Sequence, residues 1–323
     1  MLYLSTRSTA DCYTAYRALN EPKAPDGGLY VPFHLQRFTA EELLEIKSQS
    51  SCAAIAKVLN LFFGTQLTGW DVECVVGKNP VRMESMNQRL LIAEFWHNTE
   101  GSVQYYINNL YRKIADKENA ATKPAGWAYL SIQIALLFGA YAAMERGPEQ
   151  GIDVAVATGD FADISAVLYA KEMGLPVNMI LCATNENSTP WELFTKGDFH
   201  TGISPVQTTL QKLDVTQPEY MEALLSIKFG ETEVQRYLEA CSQKQVYRIG
   251  AEQLNRLSEN LFCAVISTSR VDSLVSGMQS SNGYVIDPYT AVAYGGLQTY
   301  RANTGANRDT LILAKDRPAP AKE

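Results

Sequence analysis

The sequence predicts an α/β fold in which a parallel sheet carries helices on both faces. Three short apolar runs, at 152–156, 177–183 and Thr310–Ala314, are typical of buried strands. Stretches with helical periodicity separate them, among them 164–172 and 288–299. Strands that alternate with helices in this way form doubly wound parallel sheets.

Length and composition indicate a large folded protein with two domains. The chain has 323 residues, of which 46% are hydrophobic, and this is enough apolar surface for a sizeable core. We predict an N-terminal domain at 1–90 and a larger domain at 91–323. The formal net charge of -7, without a long basic run, argues against nucleic acid and anionic membrane surfaces as partners.

No membrane span, secretion signal or metal site is expected. The longest apolar run, 130–144, is interrupted by Gln133 and Gly139, and the first residues lack the features of a signal peptide. Cysteines without paired spacing predict reduced thiols and a cytoplasmic protein. These cysteines are Cys12, Cys52, Cys74, Cys182, Cys241 and Cys263. The three histidines are far apart in sequence, which argues against a metal site.

Turn and cap residues organise the start of the chain. A strand at 1–5 and a helix at 11–18 are followed by Pro25-Asp26-Gly27-Gly28, in which Pro presets φ and Gly accepts a positive φ. Thr39, followed by two glutamates, has the pattern of a helix start. An extended stretch at 81–92 then leads into the larger domain.

The stretch from Ala155 to Asp163 has the layout of an anion-binding turn. An apolar strand, a turn at Thr158 and Gly159, and a helix start would direct backbone N–H groups at an anion. Asp160, however, places a negative charge where that anion would sit. A ligand-binding loop and an ordinary turn between strand and helix are both open interpretations.

Several motifs resemble the threonine synthase family, and together they cover most of the chain. They are Ser5-Thr6-Arg7, 24–32, Gly126-Trp127-Ala128, 158–163, 166–176, 182–187, 196–198, Ser204-Pro205, 287–293 and Pro318-Ala319. The resemblance implies a threonine-synthase-like N-terminal domain and the large domain of a fold-type II enzyme, of the tryptophan synthase β-like class. It also implies an enzyme that uses pyridoxal phosphate (PLP) to convert phosphohomoserine to threonine.

The lysine motif of that family is altered in this sequence. The family has His-Gly-Pro-Thr-Leu-Ala-Phe-Lys-Asp, whereas this chain has His-Asn-Thr-Glu-Gly-Ser-Val-Gln-Tyr at 97–105. His97 is kept, but Gln104 stands where the lysine belongs, and an amide cannot hold PLP as an aldimine. We therefore predict a degenerate catalytic site at Gln104 and His97. His97 is expected to be a structural histidine, because its partner lysine is missing.

Other positions that would contact the cofactor also differ from the family. Asp160 and Ala162 replace the Asn and second Gly of the phosphate loop, Lys315 takes the place of a hydroxyl residue beside the pyridine nitrogen, and Tyr289 replaces a His. Asp160 and Lys315 are predicted either to form an ion pair that fills the site or to be separately solvated. The candidate ligand-binding residues are Thr158, Gly159, Asp160, Phe161, Ala162, Asp163, Asn185, Asn187, Tyr289 and Lys315. The two asparagines are interpreted as turn residues, with a ligand contact as the alternative.

The small mobile domain of the family is predicted to be missing. A polar connector at 115–124 runs where that domain would be, and its composition suits an exposed linker. The loss would expose a previously buried face, so we expect self-association or a partner protein. The contact is predicted near Trp96, Tyr105, Tyr106 and Trp127.

Three hypotheses about function remain open. The first is a pseudoenzyme, without a cofactor, that binds a small metabolite or a partner protein. The second is a divergent PLP-dependent lyase that acts on a phosphorylated amino acid. The third is an assembly role, in which the newly exposed face forms an oligomer interface.

Overall fold

The computed structural model describes residues 1–99, 101–116, 118, 121–145 and 151–319. The strands are β1 Leu2–Ser5, β2 Tyr13–Thr14, β3 Tyr30–Pro32, β4 Arg82–Asn87, β5 Leu90–Glu94, β6 Ile152–Ala157, β7 Val177–Thr184, β8 Asp198–His200, β9 Val246–Arg248, β10 Leu261–Val265 and β11 Thr310–Ala314. The α-helices are α1 Ala15–Asn20, α2 Ala40–Ser48, α3 Ser51–Phe63, α4 Gly69–Val76, α5 Gln104–Ile114, α6 Gly126–Ala143, α7 Ala162–Glu172, α8 Thr189–Lys196, α9 Met221–Phe229, α10 Glu231–Gln243, α11 Ala251–Ser258, α12 Val271–Asn282 and α13 Pro288–Thr304. Two 3-10 turns lie at Gln211–Leu213 and Thr268–Arg270.

A six-stranded sheet forms the centre of the fold, in the order β10-β7-β6-β11-β5-β4. The strands from β10 to β5 pair in parallel, and β4 joins the edge antiparallel to β5. This arrangement confirms the parallel-dominated α/β sheet that the sequence predicts. The carboxyl ends of β6 and β11 are neighbours, so the loops that follow them are brought close together.

Helices cover both faces of this sheet. Side chains of successive strand residues point to opposite faces, so each buried strand contributes apolar side chains to both. In β11, Leu311 and Leu313 belong to the core shared with α6 and α7, while Ile312 and Ala314 belong to the core shared with α13. Helix α13 contacts β6, β7, β10 and β11, and α7 contacts β6 and β7.

The N-terminal part is a three-stranded antiparallel sheet, β2-β1-β3, with helices packed beside it. Thr39 caps α2 with a reciprocal capping box to Glu42, as the Thr-Glu pattern predicts. The Tyr3 hydroxyl donates to the carbonyl of Phe62 and accepts from the Trp127 indole. One apolar core therefore runs from the N-terminal sheet into α6.

Some element boundaries differ from the sequence-based expectation. The predicted helix at 11–18 is wrong at its start, because Tyr13–Thr14 pairs with β1 and Thr14 then caps α1. The sequence also predicts a helix at 251–261; this helix, α11, ends at Ser258, since Leu261 begins β10. In both places the element boundary is set by pairing with another strand, and local periodicity does not reveal which residues pair.

Helix α6, Gly126–Ala143, is longer than the apolar run at 130–144 that the sequence indicates. Its 18 residues have the length and composition of a membrane span, and 78% of this stretch is buried inside the fold. From the sequence we expect no apolar run long enough to span a bilayer, and by length and composition alone this helix contradicts that expectation. Burial of this extent is typical of the core helix of a folded protein.

The predicted connector at 115–124 lies between α5 and α6 and is described only in part. Residues 117, 119 and 120 fall outside the described ranges. Helix α5 ends at Ile114 and α6 begins at Gly126, so a short stretch joins the two helices. The loss of a small domain at this point stays a prediction.

Candidate functional site

The loop between β6 and α7 brings a carboxylate of the chain itself to the start of the helix. Asp160 Oδ1 accepts a hydrogen bond of 3.0 Å from the backbone N–H of Ala162, the first residue of α7. The carbonyl oxygen of Asp160 accepts a second bond, of 3.0 Å, from the N–H of Tyr220. Asp160 thus occupies a helix terminus that would attract an external anion.

Burial of Asp160 changes its acid strength. Desolvation raises the pKa of Asp160 to about 6, and the nearby charge of Asp163 adds to this effect. The Ala162 N–H and the ammonium group of Lys315 act in the opposite direction. The carboxyl group of Asp160 therefore gains or loses its proton near pH 6.

Phe161 has a backbone conformation that is rare for a residue with a side chain. Its φ is 68°, in the left-handed region. The side chain is fully buried and stacks on Phe194, with 5.8 Å between the ring centroids. Aromatic packing inside the core therefore holds the turn in place, and Phe161 presents no polar group to a ligand.

A second segment covers this loop. A Cβ atom added at Gly159 would collide with the carbonyl oxygen of Lys212, so the 3-10 turn Gln211–Leu213 lies directly against the glycine. The Lys212 ammonium group binds the carboxylate of Asp316 and lies 4.9 Å from the ring centre of Tyr289. Lys212 is thus a site residue that sequence analysis missed, because it lies in a long loop without a recognisable motif.

Lys315 pairs with a different aspartate from the one that the sequence analysis proposed. Its ammonium group donates to Asp163 Oδ1 and to Gln133 Oε1. The expected Asp160–Lys315 pair is therefore wrong in its partner, although Lys315 still lowers the pKa of Asp160 through space. Asp163 lies in the first turn of α7, whereas Asp160 is turned back onto the N–H of Ala162.

Gln104 is the first residue of α5, and its side chain is solvent-exposed. The amide nitrogen donates to Asn108 Oδ1, one helical turn further on, at 2.9 Å. The next lysine in sequence, Lys113, forms an ion pair with Asp71 of α4 at 3.0 Å. Neither side chain supplies an amine to the loop after β6.

His97 lies half-buried after β5. Burial lowers the pKa of His97, while the carbonyl groups of Asn79 and Glu94 and the carboxylate of Glu94 oppose this. Within the described ranges, His97 Nδ1 has no hydrogen-bond partner. A neutral histidine in contact with backbone carbonyls fits the structural role expected from the sequence.

Asn185 and Asn187 are buried and fasten a neighbouring loop. Their side-chain nitrogens donate to Asp214 Oδ1 at 2.6 and 3.1 Å. Asn187 also bonds both backbone polar atoms of Val206, and Thr208 binds Asp214 through its N–H and its hydroxyl. These contacts favour the interpretation of both asparagines as turn residues, which anchor the segment that carries Lys212.

The structure therefore brings together only part of the predicted site. Asp160, Asp163 and Lys315 lie around the start of α7, and Tyr289 is linked to them through Lys212 and the contact at Gly159. Thr158 is buried, and its hydroxyl has no partner in the part of the chain that the structure describes. Gln104 and the two asparagines direct their hydrogen bonds elsewhere.

Comparison with known proteins identifies the class of this fold. The structure of PLP-bound threonine synthase from Brucella melitensis matches with a TM-score of 0.86 at 18% identity, covering 99% of this chain and 89% of that chain. Threonine synthase from Escherichia coli matches with a TM-score of 0.77 at 18% identity, covering 98% and 89% of the two chains. The fold is that of the fold-type II PLP enzymes.

Sequence comparisons match parts of the chain to known proteins. The family described as threonine synthase N terminus matches residues 2–78. Threonine synthase-like 1 of Macaca fascicularis is 28% identical over 148 residues, which is 44% of this chain and 20% of that protein. Threonine synthase of Pseudomonas aeruginosa is 25% identical over 202 residues, which is 60% of this chain and 41% of that protein. The aligned stretches thus span less than half of these relatives' own length, and over those stretches the chain is similar to threonine synthases and threonine synthase-like proteins.

The residues around the loop do not fit PLP, the cofactor implied by this fold. The carboxylate of Asp160 already accepts from the N–H that a phosphate would use. The turn that carries Lys212 lies against Gly159, and Lys315 is bound to Asp163. Gln104, which the motif resemblance aligns with the family's lysine, carries an amide, and an aldimine requires an amine.

Proposed function

We propose that this protein is a non-catalytic, threonine synthase-like pseudoenzyme that binds a small metabolite or takes part in an assembly. The observation that supports the proposal is the exposed amide of Gln104 at the start of α5, a residue that the motif resemblance aligns with the family's Schiff-base lysine. A phosphorylated substrate would also meet the carboxylate of Asp160 in place of a free helix terminus. The six free cysteines, all in the described part of the chain, favour a cytoplasmic location.

A spectroscopic experiment tests this proposal. The purified protein is incubated with excess PLP and dialysed, and its visible spectrum is recorded. We expect a colourless protein that does not convert phosphohomoserine to threonine. A stable aldimine band, or turnover that depends on added PLP, would contradict the proposal.

The alternative function is a divergent PLP-dependent lyase, and one observation favours it. Lys212 places an amine beside Tyr289, close to the loop after β6. If an aldimine forms, borohydride reduction followed by peptide mass spectrometry identifies the modified lysine. Modification of Lys212, and its loss in Lys212→Met, would support the lyase; no modified lysine supports the pseudoenzyme.

The proposed assembly contact needs a correction. Tyr106 and Trp127 are fully buried within one chain, so neither can form part of an exposed face. Tyr105 remains 43% exposed on α5, and we keep it as the candidate contact residue. Self-association that Tyr105→Asp weakens, measured by analytical ultracentrifugation, would support the assembly role, and a monomer at high concentration would contradict it.

A further inference from the structure

Helices α4 and α5 lie side by side and antiparallel, and together they form one surface of the protein, the α4–α5 surface. The ammonium group of Lys113 pairs with Asp71 Oδ1 at 3.0 Å. Four residues earlier on α5, the side-chain nitrogen of Asn109 donates to the carbonyl of Val75 at 3.2 Å. Residue numbers therefore fall along α5 as they rise along α4, and these two contacts fix which residues of the two helices lie at the same height.

The outward side of this helix pair carries two exposed aromatic rings. Trp70 on α4 is 68% exposed, and Tyr105 on α5 is 43% exposed. Cys74, one turn after Trp70, and Arg112, two turns after Tyr105, are exposed on the same stripes of the two helices. The stripes that face the core consist of Val72, Val76, Tyr106, Ile107, Leu110 and Tyr111, all of them buried. Large aromatic side chains on an exposed face commonly mark an interaction site.

Charges are segregated between the two helices. Helix α4 contains Asp71 and Glu73 and no basic residue, whereas α5 contains Arg112 and Lys113 and no acidic residue. Asp71 and Lys113 pair with each other, but within the described ranges neither Glu73 nor Arg112 has an ion-pair partner. The α4–α5 surface is thus acidic on one side and basic on the other. Such a surface is complementary to a copy of itself turned by half a turn.

We propose that the α4–α5 surface is an interface between two copies of the chain, related by a twofold axis that runs along the helices. Helix α4 of each copy then lies on α5 of the other, and heights along the axis are kept. Arg112 and Trp70 each adjoin one member of the Lys113–Asp71 pair, so they lie within about 3 Å of the same height. The guanidinium group of Arg112 therefore lies on the Trp70 ring and beside the Glu73 carboxylate of the second copy, and this contact forms twice. The inference rests on the assembly role in the proposed function.

The size of the surface predicts a weak dimer. The longer helix, α5, has 11 residues and is about 16 Å long, and two helices side by side are about 20 Å wide. The flat area is therefore about 300 Å² per copy, well under the roughly 800 Å² of accessible surface that each partner buries in a stable complex. We expect a dissociation constant in the micromolar range, so dimers form only in concentrated protein.

Sedimentation velocity of the full chain, from micromolar to near-millimolar concentration, tests this inference. The wild type is expected to shift from monomer to dimer across this range. Trp70→Ala removes the ring and Arg112→Glu reverses the charge, and each should raise the dissociation constant at least tenfold. Arg270→Glu is the matched control, because it makes the same charge change at an exposed residue before α12, a helix that packs against α13. This control should dimerise as the wild type does.

A mixing experiment assigns the contact to unlike charges across the twofold axis. In a dimer of Glu73→Arg two positive charges would face each other, and in a dimer of Arg112→Glu two negative charges would do so. Each variant alone should therefore stay monomeric. Mixed in equal amounts, the two should dimerise at a concentration where neither does so alone, because each reversed charge then faces its opposite. Circular dichroism and thermal unfolding establish that both variants are folded, and recovery of the dimer on mixing also requires folded chains.

The results separate this inference from the proposed function. Wild-type protein that stays monomeric over the whole range would overturn both the inference and the assembly role, and would leave the pseudoenzyme assignment standing. A dimer that Arg112→Glu and Glu73→Arg leave unchanged would overturn the inference alone, because assembly would then use another surface. A mixture that associates no better than either variant alone would also overturn it. An aldimine band would overturn the pseudoenzyme assignment, whereas recovery of the dimer on mixing would still support the interface.

Discussion

Asp160 Oδ1 lies 3.0 Å from the backbone nitrogen of Ala162 and accepts its hydrogen. The first N–H groups of a helix have no partner within the helix, and an external anion often supplies one. Here the residue two positions earlier does so. The loop therefore has the geometry of an anion site but carries its own anion, and this anion is attached covalently.

Replacing Asp160 by asparagine should change how stability depends on pH. The pKa of Asp160 is raised from 3.8 to about 6 in the folded protein, mainly by burial. The folded state therefore holds this proton more tightly than the unfolded state does, and wild-type stability falls as pH rises from about 4 through 6. Asparagine can still accept from the Ala162 N–H but does not ionise. We expect Asp160→Asn to be more stable than the wild type at pH 8, by about 1–3 kcal/mol, and nearly equal to it at pH 4.

Urea unfolding at several pH values measures this difference. Asp287 also has a pKa raised to about 6 by burial, so both proteins keep some dependence on pH. The informative quantity is the free-energy difference between variant and wild type. A difference that does not grow between pH 4 and pH 7 would show that Asp160 titrates normally.

Removing the ammonium group of Lys315 should destabilise the fold more than removing a surface lysine. Lys315→Met leaves the carboxylate of Asp163 and the Oε1 of Gln133 without their donor. Breaking a partly buried pair in this way costs about 2–4 kcal/mol. Lys57→Met, which breaks the more exposed pair with Glu45, should cost less than about 1 kcal/mol.

Chemical denaturation of both variants measures the two costs. The double variant Lys315→Met/Asp163→Asn should recover part of the loss, because it no longer leaves a charge unpaired. If Lys315→Met and Lys57→Met cost the same, the pair with Asp163 contributes no more than a surface contact.

The strands and turns of the site could be predicted from the sequence, but the side-chain pairing could not. Apolar runs locate β6 and β11 because both strands are buried on the two faces of the sheet, and Thr310–Ala314 has the predicted bounds. The partner of Lys315, which follows β11, depends on which of two aspartates, three residues apart, faces the end of that strand. That direction follows from the left-handed turn at Phe161, which apolar periodicity does not reveal.

Lys212 shows a second limit of sequence reasoning. It reaches the site through a loop whose course is fixed by Asn185, Asn187 and Asp214. Asp214 lies 27 residues after Asn187, and no spacing pattern links it to the two asparagines. Only the folded chain shows that the turn at 211–213 lies against Gly159.

Adding one methyl group at Gly159 should disturb this contact. In Gly159→Ala the new Cβ would collide with the carbonyl oxygen of Lys212, and backbone atoms cannot move aside as a flexible side chain can. We expect a loss of about 1–3 kcal/mol in the free energy of unfolding. Gly277→Ala is the matched control, because its Cβ would meet no atom within 4 Å on α12. An exposed helical Gly→Ala change of this kind should stabilise by about 0.5–1 kcal/mol.

The two glycine variants thus have opposite expected signs. Thermal and urea unfolding of both variants and of the wild type measures the change in stability that each substitution causes. Equal stability of Gly159→Ala and wild type would mean that the turn at 211–213 is not held against the loop in solution.

Restoring the lysine alone should not restore PLP chemistry. Gln104→Lys supplies an amine at the start of α5, but the Ala162 N–H still binds Asp160 and Lys315 still binds Asp163. We expect Gln104→Lys to stay colourless after incubation with PLP, like the wild type. The combined variant Gln104→Lys/Asp160→Asn/Ala162→Gly removes the negative charge and the added Cβ from the loop as well, so its affinity for PLP should exceed that of Gln104→Lys at least tenfold. Both affinities are measured by absorbance titration. A strong aldimine band in Gln104→Lys alone would mean that the loop accepts the phosphate despite Asp160, and that the missing amine was the only barrier to cofactor binding.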